Sequence, residues 1–308
     1  MKHGIKITLI LLGMFLLAQF IGLYVSYAYQ PAQIITYNET TQAYENHTQY
    51  NLPYGLNPPE EVDETMSVFS IVIALVLAVL IMLGLMKLKA ETFLRGWFFI
   101  VVSLGIAVAL NAFLSPVKAA TIIAILIAVP LAYLKIFKRN LWVHNITELL
   151  IYPGIATIFI PLLNLWGIII LLIIISLYDM YAVWHAGFMQ KMAKYQIEKL
   201  RIFSGFFIPY VGKKNRILIQ KARTQGKHAK KVSIHIAILG GGDVVFPIIL
   251  AGVVLSTWGL IPALIIPIGA ALALASLFLM SQKGKFYPAM PFITIGCFIA
   301  LGIAYLIH

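Results

Sequence analysis

The chain has 308 residues, of which 61% are hydrophobic and 11% charged, and its formal net charge is +12. An ordinary soluble domain carries about a quarter charged residues, so this composition excludes one. Apolar runs near or above the ~18–20 residues needed to cross hydrocarbon recur along the whole length. They lack the short alternating pattern of a membrane β-barrel. The sequence therefore predicts an all-α polytopic membrane protein.

Nine spans are predicted in chain order, at 5–26, 66–86, 96–114, 119–137, 143–163, 166–189, 232–254, 259–281 and 287–307. The apolar tracts 142–189 and 232–281 are each long enough for two passes. "PLLNLWG" (161–167) and "STWG" (256–259) supply the Pro, Asn and Gly that loosen helix at their turns. Charge placement tests the count, because Lys and Arg collect in cytoplasmic loops. With the N-terminus cytoplasmic and the C-terminus external, every Lys and Arg except Lys118 falls on the inside. Fusing either doubtful pair of spans would put basic clusters on both sides.

Three regions follow. Residues 1–189 hold helices one to six with an acidic external loop at 27–64, residues 190–231 form a basic cytoplasmic loop, and residues 232–308 hold helices seven to nine. The first apolar stretch is too long for a typical signal-peptide core, and "VSYA" is a poor cleavage site, so a retained helix is expected. The external loop carries Glu39, Glu45, Glu60, Glu61, Asp63 and Glu64 with no Lys or Arg, and reads as a flexible solvated segment. "NET" (38–40) and "NHT" (46–48) match the glycosylation sequon, a short pattern that often arises by chance. In the basic loop, apolar "RIFSGFFIPYVG" precedes "KKNRILIQKARTQGKHAKK". Such a run tethered between membrane helices fits anionic lipid headgroups better than nucleic acid. The single cysteine, Cys297, lies in the last span and cannot form an internal disulfide.

Only Asp179 and Asp243 among the acidic residues fall deep in apolar spans, and intramembrane ionisable residues are functional candidates. Counted from the predicted cytoplasmic ends of spans six and seven, each lies about eleven residues in, roughly 16 Å at the helical rise. Two carboxyl groups meeting at one level in low dielectric do not both ionise readily, and they titrate as a unit. Such a pair suits aspartyl-protease chemistry, in which the carboxylate takes a proton from water and the acid polarises the scissile carbonyl. Gly240, Gly241 and Gly242 before Asp243 would let another backbone approach closely. His185 and His235 lie on the same two spans without a second ligand at useful spacing, so no metal is expected, nor any cofactor. Trp142, Trp166 and Trp258 fall near proposed interfaces and read as anchors.

These residues carry a family resemblance. "LYDMYAVWHAGFMQKMA" (177–193) resembles the Tyr-Asp motif of presenilins and signal peptide peptidases, and Gly240, Gly242 and Asp243 are similar to their Gly-x-Gly-Asp. "YPAMPFITIG" (287–296) resembles their Pro-Ala-Leu motif and the residues after it. The resemblance implies an intramembrane aspartyl protease acting on transmembrane substrates, with Asp179 and Asp243 catalytic. Around them it implies Tyr178, Gly240, Gly241, Gly242, Pro288, Ala289 and Met290 as active-site scaffold. A literal "PAL" at 262–264 lies at the external start of span eight and is set aside as coincidence. Gly241 occupies a position where relatives carry a larger apolar residue, a departure expected to bear on cleavage-site preference. The charge pattern resembles the presenilin orientation, which implies substrates with an external N-terminus. The small size and short loop after span six imply a microbial homologue, with an archaeal source among the options, working without partner subunits and without autoproteolytic maturation. The main rival is a proton- or cation-coupled transporter in which the two aspartates bind the coupling ion. A prepilin-type peptidase fits less well, because Asp179 lies deep in an apolar span, and a pure scaffold comes last.

Overall fold

In the computed structural model the chain is described over residues 5–38, 43–58, 64–115, 117–138, 140–186, 204–211, 234–281 and 287–308, together with Tyr195 and Ile202. Most of 190–231, Glu39, Thr40, Lys283, Lys285 and the side chains of His185 and His235 lie outside the described residues.

Among these residues, nine helices are long and apolar enough to cross a membrane. Their regular α-helical parts are α1 (Ile5–Ala28), α2 (Glu64–Lys87), α3 (Glu91–Leu114), α4 (Ala120–Tyr133), α5 (Leu141–Phe159), α6 (Leu165–Tyr181), α7 (Gly241–Trp258), α8 (Leu260–Met280) and α9 (Met290–Ile307). Helix α4 runs on through a wider turn at Leu134–Lys138, and α6 does the same at Ala182–Ala186. Both doubtful tracts divide where the sequence suggests. The Asn164 side chain accepts a 2.6 Å bond from the Gly167 N–H and starts α6, while Gly259, at φ 87°, turns the chain from α7 into α8.

Two short antiparallel sheets interrupt the helical pattern. Strands β1 (Ala32–Asn38) and β2 (Ala43–Gln49) pair from Ala32 opposite Gln49 to Asn38 opposite Ala43. This hairpin stands where a flexible loop was expected. Tyr29 ties the same end of the bundle together, donating to the Val108 carbonyl at 3.0 Å and accepting from Asn111 at 2.8 Å. Burial pushes its hydroxyl up to about 12, only partly offset by the Asn111 bond, so the proton needed for Val108 is retained.

Strands β3 (Gly205–Val211) and β4 (Ile234–Gly240) form the second sheet, with Gly205 opposite Gly240 and Val211 opposite Ile234. Here the sequence reading fails: span seven, expected from 232, begins as helix only at Gly241. The reason is local. Ile234, Ile236 and Ile238 alternate along the strand, β-branched residues favour the pleat, and Gly240–Gly242 discourage helix N-terminal to Asp243. The apolar stretch 205–211, expected within the cytoplasmic loop, supplies the partner strand.

Helices α1, α5, α7, α8 and α9 pack around one core of Leu, Ile and Ala side chains. Helices α3 and α5 meet backbone to backbone at Gly105 and Gly154, where a Cβ on Gly154 would overlap the Gly105 carbonyl. Gly154→Ala is expected to destabilise the bundle by at least about 2 kcal/mol, since backbone must move to admit the methyl. An unfolding midpoint in detergent equal to the parent's would contradict that packing.

Candidate active site

Three helix ends converge at the same end of the bundle: the C-terminal turn of α6 and the first turns of α7 and α9, each packed on the other two. Asp179 is buried in the penultimate position but one of α6, and its Oδ2 accepts the Met290 backbone N–H at 3.1 Å. Ala289 caps α9 and also directs its N–H to that carboxylate. An anion at a helix N-terminus meets unsatisfied donors and the positive end of the helix dipole. Pro288, buried, and Ala289 and Met290 thus form one surface with Asp179. One turn back, Ser176 and Thr294 share a 2.8 Å hydrogen bond that links α6 to α9 directly.

Asp243 is reached differently from the expectation. It is the third residue of α7, after the cap Gly240, and not eleven residues into a helix. The two carboxyl groups nevertheless come close enough to interact electrostatically. They meet because α7 starts inside the bundle, the sheet carrying the chain over the distance that helix was expected to cover. The Asp243 carboxyl turns back toward the Gly240 backbone, where a Cβ would stand 3.2 Å from its Oδ2. This is the reciprocal half of a capping box.

The three glycines differ in surroundings. Gly242 is exposed, and a Cβ there would meet nothing nearer than a Phe246 ring carbon at 3.7 Å. Gly241 is buried, and a Cβ would come within 2.8 Å of Tyr152 Cε1 and 2.9 Å of Ser204 Oγ. The absent side chain at 241 therefore makes room for Tyr152, a packing role distinct from the expected one in cleavage-site preference. Tyr178 is next to Asp179 on the more exposed face of α6. Pro262 and Ala263 of the decoy motif are buried near the start of α8, at the opposite end of the bundle from the aspartates. Among the described residues no group of His, Cys, Asp or Glu could hold a metal. Trp142 and Trp166 are exposed, whereas Trp258 stacks on His308 and packs on Tyr305.

Sequence reasoning missed a second polar cluster beside Asp243. Lys135, counted only among the cytoplasmic-side charges at the end of span four, is buried at the end of α4 and donates to Glu148 Oε1 at 2.6 Å. His144 and Asn145, with Glu148, point from the first turns of α5 to β3. The available signal was a lysine and a glutamate near facing ends of consecutive apolar spans. Gly205 and Phe207 use their backbone groups on these side chains, and Pro209 has no N–H. The ladder to β4 therefore runs through the alternate residues Phe206, Ile208 and Tyr210. Among the described residues β4 pairs with β3 alone, which leaves its outer edge, beside the exposed Ile238, facing away from the sheet.

A family profile described as signal-peptide peptidase, presenilin aspartyl protease matches residues 55–308. The chain belongs to this family. Two solved structures, each titled as a presenilin family intramembrane aspartate protease, share its fold. One, in space group C222, has a TM-score of 0.60 at 18% identity and covers 98% of this chain and 99% of its own. The other, in space group P2, has a TM-score of 0.58 at 19% identity and covers 97% of each chain. A search of curated proteins gives no match. The protein is thus a multi-pass integral membrane enzyme, an intramembrane aspartyl protease, and the coupled-transporter reading finds no support.

Proposed function

We propose that Asp179 and Asp243 are the catalytic dyad, and that the observation carrying this is their meeting where α6, α7 and α9 converge. The pair holds one proton between them. The ionised carboxyl takes a proton from water as the water oxygen attacks the peptide carbonyl carbon. The protonated carboxyl gives its proton to the carbonyl oxygen, forming a neutral tetrahedral diol. Collapse breaks the C–N bond, a proton passes to the leaving nitrogen, and the dyad regains its starting protonation. Pro288, Ala289 and Met290 keep Asp179 oriented through the α9 N-terminus, and Gly240–Gly242 keep the approach to Asp243 open; Tyr178 borders the site.

A transmembrane substrate must give up helical hydrogen bonds before its peptide bond can be attacked, and the freed groups need partners. The outer edge of β4 offers them in the form of strand addition, ending at Gly240 beside Asp243. The nearly one-sided placement of Lys and Arg supports a cytoplasmic N-terminus, an external C-terminus, and single-span substrates with an external N-terminus. The basic residues of 190–231 on either side of β3 contact anionic headgroups, and no partner subunit or cofactor takes part.

Incubating the full chain in bilayers with a single-span substrate, and mapping products by mass spectrometry, tests this. Cleavage inside the apolar segment is expected. Cleavage confined to the flanking soluble residues, or none across several substrates, would overturn it.

A further inference from the structure

Lys135, His144, Asn145 and Glu148 take no part in the dyad chemistry, yet their bonds converge on one strand. Glu148 Oε1 accepts from Lys135 at 2.6 Å and from the Gly205 N–H at 3.4 Å. His144 lies between a lysine donor, 3.1 Å from Nδ1, and the Gly205 carbonyl, 2.8 Å from Nε2. One neutral tautomer satisfies both, with the proton on Nε2 donated to Gly205 and Nδ1 accepting from Lys135. Asn145 completes the set, donating to the Phe207 carbonyl and accepting its N–H, each at 3.0 Å.

A buried ion pair is weak evidence of stabilisation, because apolar residues of similar volume often do as well. What this pair does have is geometry. Gly205 stands opposite Gly240, the cap of α7, three residues before Asp243. Tyr152, one helical turn beyond Glu148, rests on Gly241 and packs edge-on to Phe206 with ring centroids 5.6 Å apart. Helix α5 therefore grips both sides of the β4–α7 junction, through its polar head on β3 and through Tyr152 on α7. A two-stranded sheet is marginal alone, so its position depends on such anchors.

We propose that His144, Asn145 and Glu148 of α5, with Lys135 of α4, are positioning residues that set Asp243 against Asp179 by holding β3 and hence the β4–α7 junction. The proposal rests on the dyad reading. Its test uses the full chain in detergent with a single-span substrate, comparing two charge-neutral backgrounds. Lys135→Met/Glu148→Leu with Asn145→Leu removes three of the four side chains of the grip without stranding a charge, leaving only the His144 bond to the Gly205 carbonyl. Lys135→Met/Glu148→Gln removes the ion pair but restores an acceptor for the Gly205 N–H and leaves Asn145 in place.

In the apolar triple variant kcat per folded molecule is expected to fall at least about tenfold with KM within about twofold, even though the backbone groups of Gly205 and Phe207 left without side-chain partners lower its unfolding midpoint. The Gln variant is expected to retain most of the parental kcat. Parental kcat in the triple variant, a change in KM alone, or a loss that disappears per folded molecule would each overturn the proposal. Asp179→Asn and Asp243→Asn run beside them separate the two readings. If those cleave, the dyad assignment is wrong; if they are silent while the triple variant turns over normally, only the positioning inference fails.

Discussion

Gly241→Leu is expected to bring cleavage down by at least about 100-fold, with most of the loss in kcat, because it displaces Asp243 from its partner by an ångström or so. The backbone at 241 lies against Tyr152 and Ser204, so even a Cβ would stand 2.8 Å from the ring. Tyr152 is fully buried and packed on Phe206, which leaves the ring little freedom to retreat. The strain is relieved instead by shifting the first turn of α7, and Asp243 is in that turn. Gly241→Leu/Tyr152→Ala should recover part of the activity, the leucine filling space the ring vacates. Gly302→Ala is the control, since a Cβ there meets nothing within 4 Å and the position lies three turns along α9 from Met290, and its turnover should stay near the parent's. Parental kcat in Gly241→Leu would mean that the ring does not fix the junction.

Much of the architecture was legible because a bilayer imposes one length on every helix. Each of the nine apolar runs announces itself without reference to any other, and Asn164 and Gly259 mark breaks inside tracts that hydropathy alone would fuse. Asp179 and Asp243 were legible for a related reason, since a carboxyl in an apolar run needs an explanation wherever it lies.

The depth of Asp243 was not legible. Residues 234–240 are as apolar as the helix after them, and hydropathy does not distinguish a buried strand from a buried helix. The alternation of Ile234, Ile236 and Ile238 was a hint, but the partner strand begins 29 positions before β4 and nothing local specifies the pairing. The Lys135–Glu148 pair was hidden in the same way: its members are on separate helices, and only the turn between α4 and α5 brings them together. The aspartates still meet, although for a reason other than equal depth in two continuous helices. A strand that must be satisfied within the bundle takes its bonds from α5 on one edge, and that requirement links the missed cluster to the turn that carries Asp243.

Whether Asp179 and Asp243 work as one site is tested most directly by measuring turnover of a single-span substrate by Asp179→Asn and Asp243→Asn, each compared with the parent in the same bilayers. Asparagine keeps the size and the acceptor oxygen that receives the Met290 N–H, so both variants should fold as the parent does. Each alone should lower turnover at least about 10³-fold, because neither carboxyl can hold or pass a proton without the other. Cleavage at the parental rate by either variant would contradict the shared dyad.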